Sequence, residues 1–324
     1  MTTILYSKSM SVYAASRLRK TGFNGVVYAV FNRSFYILEE SSEVEKHLVC
    51  VGSPSICNGP MNLIIDGLSS LRPDELGIKP GMKVEGCGDF LDLGNRVIVA
   101  LDSASKWVPA PILDTLPVTL PRLKRGLEVA EVTTCQRGNK AGMGFLLATG
   151  TGWPGQPTLR PPIEENVTAR LLRDRAAVLV PDFLHAVLGC RITDAIEVAG
   201  GLIGLGPGLT PAGDDFLGGF MAGLLWFAKA LRGRLVKFVF TLNKGVAWAA
   251  RMRTTLISQV MLRHAALGCL GEAPHELIAS LLTGNLNEVP GKTLGAIAMG
   301  STSGTDIVTG ILLGMRIGIE MNKV

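Results

Sequence analysis

The sequence predicts an α+β protein: a β-rich, barrel-like N-terminal domain over residues 1–115, then a mainly helical C-terminal domain over 116–324. Three observations predict it. The apolar period is close to two from Val26 to about Trp107 and shifts towards 3.6 beyond. The stretch between them, WVPAPILDTLPVTLP (Trp107 to Pro121), holds four prolines and reads as a connector. The length of 324 residues, 47% of them hydrophobic, is enough for two cores.

In the first domain the β-rich runs are VVYAVFNRSFYILEE, HLVCVGS, NLIIDGL and GMKVEGCGDFLDLGNRVIVAL, with Asp92-Leu-Gly-Asn95 as a turn inside the last. In the second, helices are expected over roughly 121–136, 167–189, 211–231, 235–249, 252–267, 274–283 and 304–319. GTGWPGQPTLRPP (Gly150 to Pro162) lies between them as a Gly/Pro loop, either a plain surface connection or a segment over a site.

Composition removes several function classes. The mean hydropathy of +0.33 is high. The longest apolar run, Phe216 to Ala228, is nevertheless too short to span a bilayer, so the excess reads as helices buried on most faces. No signal-peptide pattern opens the chain, and a cytoplasmic protein with no membrane partner is expected. Six scattered cysteines without a CxxC pair and four unclustered histidines support neither a disulfide framework nor a zinc site. The net charge of +5 is dispersed and aromatics make up 6%, which argues against nucleic acid and leaves small anions as ligands.

The chemistry concentrates in GLIGLGPGLTPAGDDFLGGFMAGL (Gly201 to Leu224). It does not fit GxGxxG, because Leu209 and Pro211 occupy the positions a third glycine needs. Pro290-Gly-Lys-Thr293 likewise lacks the upstream glycine of a phosphate loop. The physical reading is a helix N-terminus facing an anion. Thr210 and Pro211 suit a cap and a first turn, and Gly204, Gly206 and Gly208 let backbone amides turn inward. The helix dipole favours negative charge there. Asp214 and Asp215 follow in the first turn as candidate catalytic groups. Beside an anion they need either a bridging cation such as Mg2+ or an N–H edge of the substrate. Gly219 and Gly223, one turn apart, suit close helix packing whatever the function.

MGSTSGTDIVTGILLGM (Met299 to Met315) repeats this construction. Ser303, Gly304, Thr305 and Asp306 match a capping box with Asp in place of Glu, which is either an ordinary capped helix or, given its similarity to the first loop, a second N-terminus converging on the same anion. In RMRTTLISQVMLRHAALG, Arg251, Thr254, Thr255 and Ser258 fall on one face of the expected helix, either exposed or lining a polar pocket. In the first domain, Asn58 and Asn62 flank a Gly-Pro turn, where they serve turn geometry or orient a polar substrate.

Taken in order, NGPMNL, GLGPGLTPAGDDFLGG, RTTLIS and STSGTD resemble a bacterial family of AllH-type subunits of oxamate carbamoyltransferase. The similarity is densest from about Ala199 to Leu313. Relatives often carry histidine where Ser301 stands here, so no acid–base role is assigned to that position. The resemblance implies several subunits working together to interconvert oxalurate and phosphate with oxamate and carbamoyl phosphate. Amides of 204–210 and 300–304 would hold anionic oxygens. Asp214 or Asp215 would orient the carbamoyl NH2 or a magnesium ion, and Thr255 and Ser258 would complete the pocket. A non-catalytic metabolite-binding or assembly subunit is the alternative.

Overall fold

The computed structural model describes residues 2–41, 44–111, 119–148, 167–231 and 233–323. The Gly/Pro loop of 150–162 and most of the proline connector lie outside these residues. The chain divides into two compact units, Met1–Pro109 and Ala110–Val324.

The first unit is an eight-stranded barrel. Its elements are β1 (Thr3–Ser11), α1 (Val12–Leu18), β2 (Asn24–Val30), β3 (Ser34–Glu39), β4 (Leu48–Gly52), β5 (Asn62–Ile65), β6 (Lys83–Cys87), β7 (Phe90–Leu93) and β8 (Val97–Ala100). A short β9 (Ser105–Trp107) adds to β1. The order β5-β4-β3-β2-β6-β7-β8-β1 closes because β1 also pairs with β5, antiparallel, at Ser7↔Ile65. Alternate side chains fill the interior, among them Phe35 and Ile37 of β3 and Leu91 and Leu93 of β7. The expected turn after β7 is present. Gly94 and Asn95 both have positive φ, and Asp92 Oδ1 accepts from the Asn95 amide at 2.7 Å.

Sequence periodicity misses β1 because its polarity is inverted. Ile4 and Tyr6 point out, 53% and 62% exposed, while Ser7, Ser9 and Ser11 are buried. Each buried hydroxyl has an acceptor: the Ala100 carbonyl, Asn58 Oδ1 and the Pro60 carbonyl, all at 2.6 Å.

The second unit is helical: α2 (Leu120–Arg137), α3 (Phe145–Ala148), α4 (Val167–Leu188), α5 (Ile192–Leu202), α6 (Ala212–Ala230), α7 (Leu235–Ala249), α8 (Leu256–Ala266), α9 (Glu272–Thr283), α10 (Val289–Ile297) and α11 (Ser303–Met321). Helix α8 begins four residues later than periodicity predicts, and α3, α5 and α10 were not anticipated. Pro290-Gly-Lys-Thr293 belongs to the first turns of α10, where proline costs no helical hydrogen bond.

Helices α6 and α11 form the centre, with 16 of the 19 residues buried in each. Burial on every face accounts for the high hydropathy of the chain. They pack backbone to backbone. A Cβ on Gly219 would overlap the Ile307 carbonyl, and one on Gly310 would overlap that of Phe216. At Gly223 and Gly314 it would sit 2.7 and 2.5 Å from the Ile311 and Phe220 carbonyl oxygens. These contacts advance in the same direction along both helices, so the two run parallel and their N-termini lie side by side. None of the helices described is long and apolar enough to cross a membrane.

Candidate functional site

The parallel pair brings the two singled-out stretches together. Thr210 precedes α6, Ser303 opens α11, and their hydroxyls lie 3.2 Å apart. Capping differs from expectation at both ends. Pro211 occupies the N-cap of α6, so Thr210 is not the cap and its hydroxyl is free to reach α11. The N-cap of α11 is Thr302, one residue before the expected Ser303, and neither end has a side-chain cap. The capping box therefore does not form. The Asp306 carboxylate accepts instead from the Met143 amide at 2.5 Å.

Residues 204–210 form the loop ahead of α6. Gly204, Gly206 and Gly208 have φ of +75°, +115° and +98°, a region that penalises any side chain, and a Cβ on Gly208 would meet only open space. The loop is held from below. The Gly204 amide donates to Asp214 Oδ1 at 2.9 Å, while Thr254 donates its hydroxyl to Asp214 Oδ2. Thr255 Oγ1 donates to the Leu209 carbonyl at 2.5 Å, and Ser258 Oγ reaches the same oxygen at 3.4 Å.

Arg251 and Thr254 therefore do not lie on a helical face with Ser258, because both precede α8. Thr255 is its N-cap, accepting from the Ser258 amide at 3.1 Å. The polar stripe is a clamp on the glycine loop. Replacing Thr254 with valine should cost about 1–3 kcal/mol, since it strands a buried carboxylate oxygen. The check is amide hydrogen exchange at Gly204, which should quicken along with a lower melting temperature. Unchanged exchange would contradict the clamp.

Three carboxyl groups gather here: Asp214 and Asp215 at 4% exposure and Asp306 at 0%. Burial raises the pKa of each. For Asp214 the Thr254 hydroxyl, the Gly204 amide and Ser258 oppose the rise. Asp215 is pushed well up by burial and by the charges of Asp306 and Asp214, against hydrogen bonds from Ser303 and Thr210. Asp306 is pushed up to about 7 by burial, opposed by the Met143 amide and Thr302. One oxygen of Asp215 and one of Asp306, Oδ2 in both, is buried without a hydrogen-bond partner.

A third segment completes the surroundings and was missed by sequence reasoning. Between α2 and α3, GNKAGMG (Gly138 to Gly144) folds onto the start of α11. The Asn139 amide donates to Thr305 Oγ1 and its side chain to the Ser301 carbonyl, both at 3.0 Å. Gly142 lies so close to the Asp306 carboxylate that a Cβ would overlap it. Three glycines in seven residues between two helices were the available signal.

Gly304 has a packing role, since a Cβ there would lie 2.9 Å from the Met299 amide nitrogen and overlap the Ala296 carbonyl. Asn58 and Asn62 belong to the barrel unit. Asn58 accepts from Ser9, and Asn62 Nδ2 donates to the Cys57 carbonyl at 2.9 Å. Among the described residues no group of three or more His, Cys, Asp or Glu is arranged to hold a metal.

The class these features define is an α+β protein that joins a closed barrel to a helical unit, with paired helix N-termini over buried carboxyl groups. A family model described as oxamate carbamoyltransferase subunit AllH matches residues 202–315, which contain the glycine loop, α6, α8 and most of α11. A second, described as the AllH family N-terminal domain, matches residues 6–106. The chain belongs to the AllH family. No solved structure matches it.

Proposed function

We propose that this chain is a carbamoyltransferase subunit that binds carbamoyl phosphate or phosphate, together with a small carboxylate such as oxamate or oxalurate, at the adjoining N-termini of α6 and α11. The observation that carries this reading is the parallel packing that sets Thr210 and Ser303 3.2 Å apart. Two helix dipoles with the same sense reinforce one another at such a point, and hydroxyls supply directional donors. In the forward reaction a phosphate oxygen attacks the ureido carbon of oxalurate. An O–C bond forms, the C–N bond breaks, and the departing oxamate nitrogen takes a proton. The chain's share is to hold the anions in line and stabilise charge on the carbonyl oxygen.

The candidate residues divide by role. Asp214 has both oxygens engaged and acts as a positioning residue for residues 204–210, with Thr254, Thr255 and Ser258 beneath it. Asp215 keeps an oxygen for substrate. Among the described residues no group of three or more His, Cys, Asp or Glu is arranged to hold a magnesium ion, which leaves the N–H edge of the substrate as the partner of Asp215. A non-catalytic binding or assembly role is the second reading, favoured by the family's description as a subunit and by the lack of histidine in NGPMNL, GLGPGLTPAGDDFLGG, RTTLIS and STSGTD.

Thermal-shift titration with phosphate, carbamoyl phosphate, oxamate and oxalurate tests the site. A ligand at about 100 times its Kd adds roughly 2.7 kcal/mol to the folded state. The expected result is a rise in melting temperature that is lost in Ser303→Val. No rise with any of the four would overturn the reading. Turnover by the assembled enzyme that survives Asp215→Asn would select the non-catalytic role.

A further inference from the structure

The two unpartnered oxygens carry the argument further. Asp215 Oδ2 and Asp306 Oδ2 belong to residues that are 4% and 0% exposed, and they are buried acceptors without donors. They come from the first turns of two parallel helices, near enough for their charges to interact and for Ser303, one turn before Asp306, to hydrogen-bond Asp215. The nearby groups are already committed: Asp214 to Gly204 and Thr254, and Asp306 Oδ1 to the Met143 amide. A buried acceptor left empty is costly, and the Asp306 charge bears directly on Asp215. The missing complement is a small group with two N–H donors that diverge.

We propose that Asp215 and Asp306 act as a pair that recognises the carbamoyl –NH2 group, one N–H donating to each Oδ2, and thereby select a carbamoyl donor over an acetyl donor of the same shape. The pair is a specificity element and rests on the reading that a carbamoyl group enters this site. A planar –NH2 directs its two hydrogens about 120° apart, which suits acceptors on separate helices. A methyl group in its place would leave both oxygens empty. Sites built around a substrate N–H or O–H reject the analogue that lacks it by factors far beyond those of a hydrophobic pocket. The inference also separates the two first-turn aspartates of α6, since only Asp215 has an oxygen to give.

The test uses two stable phosphonates, phosphonoacetamide and acetonylphosphonate, which differ only in –NH2 against –CH3. Both, with inorganic phosphate, are titrated calorimetrically into the full chain and into Asp215→Asn and Asp306→Asn, with circular dichroism to establish folding. Wild type should bind the amide at least about 100-fold more tightly than the ketone, with the ketone close to phosphate. In either variant this preference should shrink by about tenfold or more while phosphate still binds. In Asp306→Asn the Met143 amide holds the side-chain oxygen, so an NH2 group would face the ligand, donor against donor. If one variant does not fold, the other gives the result.

Equal affinity for both phosphonates in wild type would overturn the pair while leaving the anion site standing. A preference unchanged in the variants would overturn it too. Failure of all three ligands to bind wild type would instead bring down the functional reading on which the pair rests.

Discussion

Gly310→Ala should destabilise the helical unit by about 3 kcal/mol or more. The added methyl overlaps the Phe216 carbonyl and comes within 2.6 Å of the Phe220 amide nitrogen. Overpacking a core usually costs about 1–3 kcal/mol because side chains can turn aside. Here both parties are helix backbone, and neither α6 nor α11 can move without dislodging its other neighbours. For a unit of this size each kcal/mol shifts the melting temperature by roughly 2–4 °C, so a fall of about 6–12 °C is expected. Gly295→Ala, on an exposed turn of α10 with nothing within 4 Å, is the control, expected to be neutral or to stabilise by up to about 1 kcal/mol. Because the same contact sets the spacing of Thr210 and Ser303, Gly310→Ala should also weaken phosphate binding in the fraction that remains folded. A melting temperature within a degree or two of wild type would show that the helices are not in backbone contact.

The contribution of Asp306 to stability should fall as pH rises from about 4 to 8. Its folded pKa, about 7, lies above the unfolded value near 3.9. Below pH 4 the carboxyl is protonated in both states and its burial carries no charge penalty. Between those values the folded state holds more protons, so each step upward in pH favours unfolding. The stabilisation is lost as pH passes through the folded pKa. By linkage the loss from this residue is on the order of 3 kcal/mol between pH 4 and 8. The measurement is the difference in unfolding free energy between wild type and Asp306→Asn at the two pH values. Asp215 and Asp214 titrate in the same direction, and because the Asp306 charge also raises Asp215, the difference reports Asp306 together with its coupling to Asp215. A pH-independent difference would show that the carboxyl is not held in its neutral form by burial.

The fold was legible where hydrophobic periodicity and burial agree. Strands β2, β6 and β7 alternate as a half-buried sheet must, β4 reads as a short apolar run because it is buried along its length, and α6 and α11 are largely apolar on all faces because they are buried on all faces. Where the interior is polar the pattern fails: β1 turns serines inward and Ile4 and Tyr6 outward, and reads as no strand at all. Helix α5 was hidden by Gly200 and Gly201 at its end, which resemble the start of the glycine loop.

At the candidate site, glycine spacing and two first-turn carboxylates pointed to paired helix ends, but not to which hydroxyl does what. Thr210 and Ser303 look like caps from sequence, yet they face one another because the helices approach to glycine distance. That approach is a tertiary fact. The role of Gly142 and Met143 against Asp306 depends on a contact 163 residues apart, which no local pattern encodes.

The closure of the barrel has a consequence for biosynthesis. β1 finds its partners only in β5 and in the more distant strands β8 and β9, with Thr3 opposite Val97. A nascent chain must therefore carry β1 with one edge open until about 90 further residues have emerged, roughly 5–20 s at ordinary elongation rates. Such long-range pairing folds slowly, since the chain must close a large loop before any contact rewards it. During that interval the edge of β1 and its outward Ile4 and Tyr6 are open to the wrong partner. A chaperone that covers this edge during synthesis should therefore raise the yield of correctly folded chains without changing the stability of the finished barrel.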